Sequence, residues 1–314
     1  MEDRQTGIGG TDIAAIMGLN PWKSPMDVYL EKVGIYPPPP DNENMYWGRE
    51  IEPALKKRYM REKGVSIVEP SPRLMRHPDF EWYIGSPDGL TDPPGGGVDY
   101  KTTGRRNDYG EPGTDQVPEH VACQCHWYMG LTGAEWWDVA VLFFAPSRRF
   151  EIFRLQRSEE IINNLIRAGK HFWENHVLPQ NPPPIDASEG SKKLINHLYP
   201  SEKGAELKVA DAEAEIIIQL LKEKEAARDK AMRELALVQN SIKMLIGESP
   251  GIISGLGKVT WRKSKDRRSI DWKAVADELV IMSKISPAEY KIIQDVCSYT
   301  LPGGRVLRTW WRKE

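Results

Sequence analysis

Gly85-Ser86-Pro87-Asp88-Gly89-Leu90, followed by Val98-Asp99-Tyr100-Lys101-Thr102, decides how this chain is read. Two aspartates stand eleven residues apart, and a lysine follows the second by two positions. Paired carboxylates supply the hard oxygen ligands that Mg²⁺ demands. A lysine beside them can hold an attacking water or neutralise charge that develops at phosphorus. A metal, an oriented water and a charge clamp are what hydrolysis of a phosphodiester requires, and the residues for all three fall within Asp88–Lys101.

Composition leaves room for that chemistry. The chain has 314 residues, 40% hydrophobic and 28% charged, ordinary for a globular protein. No apolar run approaches the roughly 20 residues needed to span a bilayer, and the polar start Met1-Glu2-Asp3-Arg4-Gln5 does not read as a secretory signal. A cytoplasmic protein with no membrane partner is expected. Three cysteines without a CxxC pair argue against a zinc ribbon or an iron–sulfur cluster and for reduced thiols. The net charge of −2 does not advertise nucleic-acid binding, so any such surface must be local. Candidates are Lys56-Lys57-Arg58, Arg61, Arg105-Arg106, Arg148-Arg149 and the basic run from Arg262 to Arg268.

Prolines 37–40 read as a loop, and Pro182-Pro183-Pro184 as the close of a first domain, giving domains 1–185 and 186–314. In the first, residues 11–17 read as a short helix capped by Thr11 and ending at Gly18. Residues 47–63 read as a longer helix, with Glu52 one turn in. Strands are expected at 65–68, 82–85, 97–101, 136–144 and 150–155, the second and third paired and bearing the acids. Helices are expected at 119–131 and 158–173. That order is α/β with a mixed sheet. Beyond it, residues 205–246 read as one long helix or a hairpin of two. Residues 257–262 and 305–311 read as strands that could pair, around a helical insert at 271–296.

Several separated blocks together carry a family resemblance. They are Arg4 with Gly7-Ile8-Gly9-Gly10-Thr11-Asp12, Trp47-Gly48-Arg49-Glu50-Ile51-Glu52, the two acid-bearing stretches, and Gln124 in a helix near Met129-Gly130. In this order they resemble the YqaJ/phage λ-type alkaline exonuclease branch of the PD-(D/E)XK nucleases, over residues 1 to about 180. The resemblance implies a PD-(D/E)XK core with a mixed central sheet flanked by helices, followed by a C-terminal long-helix and small α+β extension. It implies two Mg²⁺ ions, with Mn²⁺ able to substitute, held by Asp88, Asp99, the Tyr100 carbonyl and Glu52. Lys101 would position water or stabilise the transition state, and Gln124 would orient the nucleophile or a phosphate oxygen.

Arg4 and Thr11 match an arginine and a hydroxyl that capture a 5′-phosphate in this family, and Met45 aligns with an apolar wedge that separates strands. Two departures stand out: many members carry Glu where this chain has Asp99, and Ser where it has Thr11. The implied activity is 5′-to-3′ resection of linear double-stranded DNA, leaving 3′ overhangs for single-strand-annealing recombination. A ring-shaped homotrimer, an annealing protein as partner, and a bacterial or phage-infected cell as setting are implied with it. An endonuclease of the same fold and an inactive DNA-binding scaffold are the competing readings. The Arg4–Thr11 pair favours an exonuclease, and the intact acid–lysine set favours an enzyme. His120 and His126, flanking Gln124, read as satisfied or solvated histidines rather than metal ligands, and most of the tryptophans read as core.

Overall fold

Apolar strands that alternate with amphipathic helices bury both faces of a central sheet, and the computed structural model shows how. It describes residues 2–37, 41–145, 147–202, 207–263 and 286–297, with the single positions 273 and 276. Contacts divide the chain into two units, Met1–Tyr199 and Pro200–Glu314. The first holds helices α1 (Glu2–Gln5), α2 (Gly10–Ile16), α3 (Pro25–Lys32), α4 (Glu43–Lys63), α5 (Glu119–Thr132), α6 (Glu159–Phe172) and α7 (Glu189–Leu198). Its strands are β1 (Ser66–Val68), β2 (Met75–Arg76), β3 (Ile84–Gly85), β4 (Gly89–Asp92), β5 (Gly96–Thr103), β6 (Trp136–Phe143) and β7 (Arg149–Gln156).

The sheet runs β1-β4-β5-β6-β7, with β5 and β6 parallel and the other neighbours antiparallel. The expected mixed sheet flanked by helices is therefore present. One strand assignment changes. Residues 82–85 do not pair with the second acid-bearing strand; β3 pairs with β2 in a separate ribbon. Asp88 instead precedes β4, which turns back onto β5 with Gly89 opposite Val98. A Cβ on Gly89 would fall 2.3 Å from the Ile67 side chain, so a glycine there lets β1 close against β4 directly beside Asp88.

Alternation along the strands sorts the core. Val98, Tyr100 and Ala140 pack with Leu55 and Tyr59 of α4 on one face. Val139 and Val141 join the larger cluster that contains Trp127 and Met129 of α5 and Ile162 of α6 on the other. The α6 stripe is the sequence pattern made visible: Ile162, Leu165, Gly169 and Phe172 are buried, and Ser158 caps the first turn.

Two helices differ at their starts from the sequence expectation. Gly9, not Thr11, is the N-cap of α2, because Asp12 reaches back to accept from the Gly9 amide at 3.1 Å. α4 begins at Glu43 under an Asn42 cap, so Met45 lies inside its first turn and Glu52 more than two turns in, just before Pro53. The first unit also runs past residue 185, since α7 packs on α3 with Lys193 Nζ 3.3 Å from Asp27.

In the second unit, residues 212–246 form one helix rather than a hairpin: α8 (Ala212–Ile246), capped by Asp211. β8 (Gly251–Ser254) pairs with β9 (Gly257–Thr260), so the expected strand at 257–262 finds its partner immediately upstream. Its other proposed partner, 305–311, lies outside the described residues. α9 (Pro287–Cys297) falls partly within the expected insert. Among the described residues, no helix is long and apolar enough to cross a membrane.

Candidate active site

The second acid and the lysine sit two positions apart on β5, so the pleat turns both toward α5. The Lys101 ammonium contacts the Asp99 carboxylate directly. It also donates to Gln124 Oε1 at 3.2 Å, while Gln124 Nε2 donates to the Tyr128 hydroxyl at 3.0 Å. Both ends of the Gln124 amide are thus engaged, and its place here is to fix Lys101. Gly10 of α2 makes this fit possible, because a Cβ there would lie 2.9 Å from Gln124 Cγ and 3.1 Å from the Tyr128 ring. The first turn of α2 is in this way pressed against α5.

Asp88 comes in from the loop before β4, and its Oδ2 accepts the Tyr100 amide at 2.9 Å. Burial, and then the neighbouring Asp99, push its carboxyl up to about 8, against the pull of Lys101. Glu52 is shifted upward by burial; Arg73 opposes the rise and Asp99 adds to it. Lys101 goes the other way. Burial alone would lower it, but Asp99 and Asp88 outweigh that and hold it well above the ordinary lysine range. Lys101 is a fixed cation, able to donate hydrogen bonds but not to accept a proton.

These oxygens suit a hard divalent cation: buried Asp99 and half-buried Asp88 are mutually repelling carboxylates, and Lys101 beside them is a cation. Asp88 and Asp99, with the Tyr100 carbonyl, would hold such an ion. The fit stops short of a full cage. Among the described residues, no three His, Cys, Asp or Glu side chains are close enough to hold a metal together. Glu52 meets Asp88 only across Arg73, whose Nη2 lies 3.7 Å from Glu52 Oε1 and 3.5 Å from Asp88 Oδ1. Sequence reasoning missed Arg73, because it lies on a loop in no recognisable motif.

Arg4 and Thr11 are both exposed. One ammonium links their neighbourhoods: Lys32 Nζ donates to the Arg4 carbonyl at 2.7 Å and pairs with Asp12 at 2.7 Å. Met45 is exposed beside Tyr46 and Trp47, while Trp127 and Trp137 are buried. His126 bonds the Ala122 carbonyl at 2.9 Å and His120 meets the exposed Trp22 edge-on. Cys123 and Cys125 are buried free thiols; the Cys297 side chain lies outside the described residues. A cavity of about 600 Å³, lined by Thr6, Arg76, Trp82 and Trp173, contains none of these site residues.

Arg4, Thr11, Glu52, Asp88, Asp99, Lys101 and Gln124 all fall within residues 1–135, the stretch that matches the family described as YqaJ-like viral recombinase domain. The likeness continues beyond it. The YqaJ protein of Bacillus subtilis (strain 168) is 26% identical over 280 residues, covering 88% of this chain and 86% of that one. An alignment of that length must reach past Tyr199 into the second unit. Among solved structures, an alkaline exonuclease from Laribacter hongkongensis, LHK-Exo, is 19% identical with a TM-score of 0.45, covering 55% of this chain and 89% of that chain. A phage-related exonuclease from Haemophilus somnus 129PT is 13% identical with a TM-score of 0.41, covering 54% and 94%.

Proposed function

We propose that this YqaJ-like chain is a Mg²⁺-dependent exonuclease that resects linear double-stranded DNA 5′ to 3′, leaving 3′ overhangs for single-strand annealing. One observation carries the reading: Asp88 accepts the Tyr100 amide beside Asp99, and Asp99 contacts Lys101, which Gln124 holds. When bound, Mg²⁺ (or Mn²⁺) would activate water and neutralise the leaving oxygen as a Lewis acid. The remaining work belongs to the chain. Lys101, protonated and fixed between Asp99 and Gln124, donates to a phosphate oxygen as its charge grows, the kind of contact worth about 3–4 kcal/mol of barrier. It cannot be the base, so the proton from water leaves to solvent or to a carboxylate.

Arg4 and Thr11 bind the 5′-phosphate of the end being digested, and Met45 at the exposed start of α4 wedges the strands apart. A homotrimer and a single-strand annealing protein as partner follow from the family resemblance. The test is digestion of a 5′-phosphorylated linear duplex, the same duplex with 5′-hydroxyl ends, and closed circular DNA. Rapid loss of the first, slower loss of the second and an intact circle are expected. Cutting of the circle would turn the reading into an endonuclease. No Asp99-dependent cleavage of any substrate would leave a binding or scaffold role.

A further inference from the structure

Arg73 stands between two of the site's acids, Asp88 and Glu52. Its Nη1 donates to the Pro87 carbonyl at 2.5 Å, which tethers the guanidinium to the backbone step that precedes Asp88. Its Nη2 reaches the other way, between Asp88 and Glu52. A guanidinium keeps its charge at any working pH, so this is a permanent positive charge placed between two acids. Arg73 is also the largest influence opposing the burial-driven rise of the Glu52 carboxyl, to which Asp99 adds. The Arg73 side chain is 47% exposed, so the group can turn outward without breaking the core.

We propose that Arg73 is a resident counter-cation that a divalent ion displaces from Asp88 and Glu52, and that then serves the substrate phosphate while tethered at Pro87. A divalent ion and a guanidinium repel when both sit against one carboxylate. The exchange frees Glu52 to close on the ion and frees Nη2 for an anionic oxygen. Arg73 thus opposes cation binding and assists turnover. This inference rests on the nuclease reading above.

The test is calorimetric titration with Mn²⁺, without DNA, of the wild-type protein, Arg73→Gln, Arg73→Lys and an Asp99→Ala control, followed by turnover of linear duplex at saturating Mn²⁺. Arg73→Gln should bind Mn²⁺ about three- to tenfold more tightly yet turn over roughly 10- to 100-fold more slowly. Arg73→Lys should keep near wild-type affinity. A residue that merely braced the Pro87-Asp88 loop would give the opposite sign, with weaker Mn²⁺ binding in Arg73→Gln. Unchanged or weaker binding, or wild-type turnover, would overturn the proposal. Absence of Asp99-dependent Mn²⁺ binding in the wild-type protein would overturn the nuclease reading itself, and this inference with it.

Discussion

Asp99 on β5 and Asp138 on β6 stand one register step apart on neighbouring strands, since Val98 pairs with Asp138 and Asp99 with Val139. Both are almost wholly buried. Asp138, on the α4 face, is surrounded by donors: Arg154 grips it with two nitrogens at 2.6 and 2.8 Å, the Tyr59 hydroxyl donates at 2.9 Å, and Lys63 lies 3.6 Å away. Asp99, on the α5 face, has Lys101 as its cation and a second carboxylate, Asp88, close enough to raise that group's proton affinity. The first carboxylate is neutralised and ties a helix to two strands. The second shares its surroundings with like charge, a repulsion that Lys101 offsets in part and a further cation would relieve.

The widest separation between the two should come from Asp99→Ala. Cleavage should fall about 1000-fold or more, while the melting temperature changes little, because the lost repulsion of Asp88 offsets the lost pairing with Lys101. A loss of stability equal to that of a core variant would break the comparison. Asp138→Ala should do the reverse. Removing one partner of a buried pair strands Arg154 and Tyr59 and should cost about 3 kcal/mol in urea unfolding, with folded protein still cleaving DNA at a rate within a few fold of wild type.

Asp12 sharpens the contrast from a third position. Burial would raise its carboxyl, but Lys23 and Lys32 hold it down to about 2. The folded state therefore binds its proton more weakly than the unfolded chain. The resulting stability, about 2 kcal/mol, is complete above pH 4 and is lost as pH falls from about 4 toward 2. Asp12→Asn should flatten that part of the stability–pH curve; an unchanged slope would count against the ion pairs. The smallest effect is expected at Met45. Met45→Ala should leave stability within about 0.5 kcal/mol and slow digestion of duplex more than of an already frayed end.

How far these contrasts were readable beforehand varies residue by residue. Asp99 and Lys101 could be placed together from a spacing of two on a strand, and the α6 stripe from its period. Asp138 could not be singled out within the apolar run 136–144, because its partners Tyr59 and Arg154 come from an upstream helix and a separate strand. Thr11 was misread as a cap because a side chain three residues from the N-cap, Asp12, took the role from a glycine. β4 was missed because four residues beginning with glycine carry too little pattern to stand out.

The sequence by itself determined the α/β alternation, the mixed sheet and the Asp99–Lys101 pairing on one strand, because those depend on local period and on spacing within single elements; Glu52 and Gln124 were added only by the family resemblance. Only the tertiary structure decided that Arg73 divides Glu52 from Asp88, that Gln124 is spent on Lys101 and Tyr128, and that Asp138 is fully paired. Each of those depends on side chains from distant segments meeting in a low-dielectric interior, where the balance of charge is set by whichever groups the packing brings within a few ångströms.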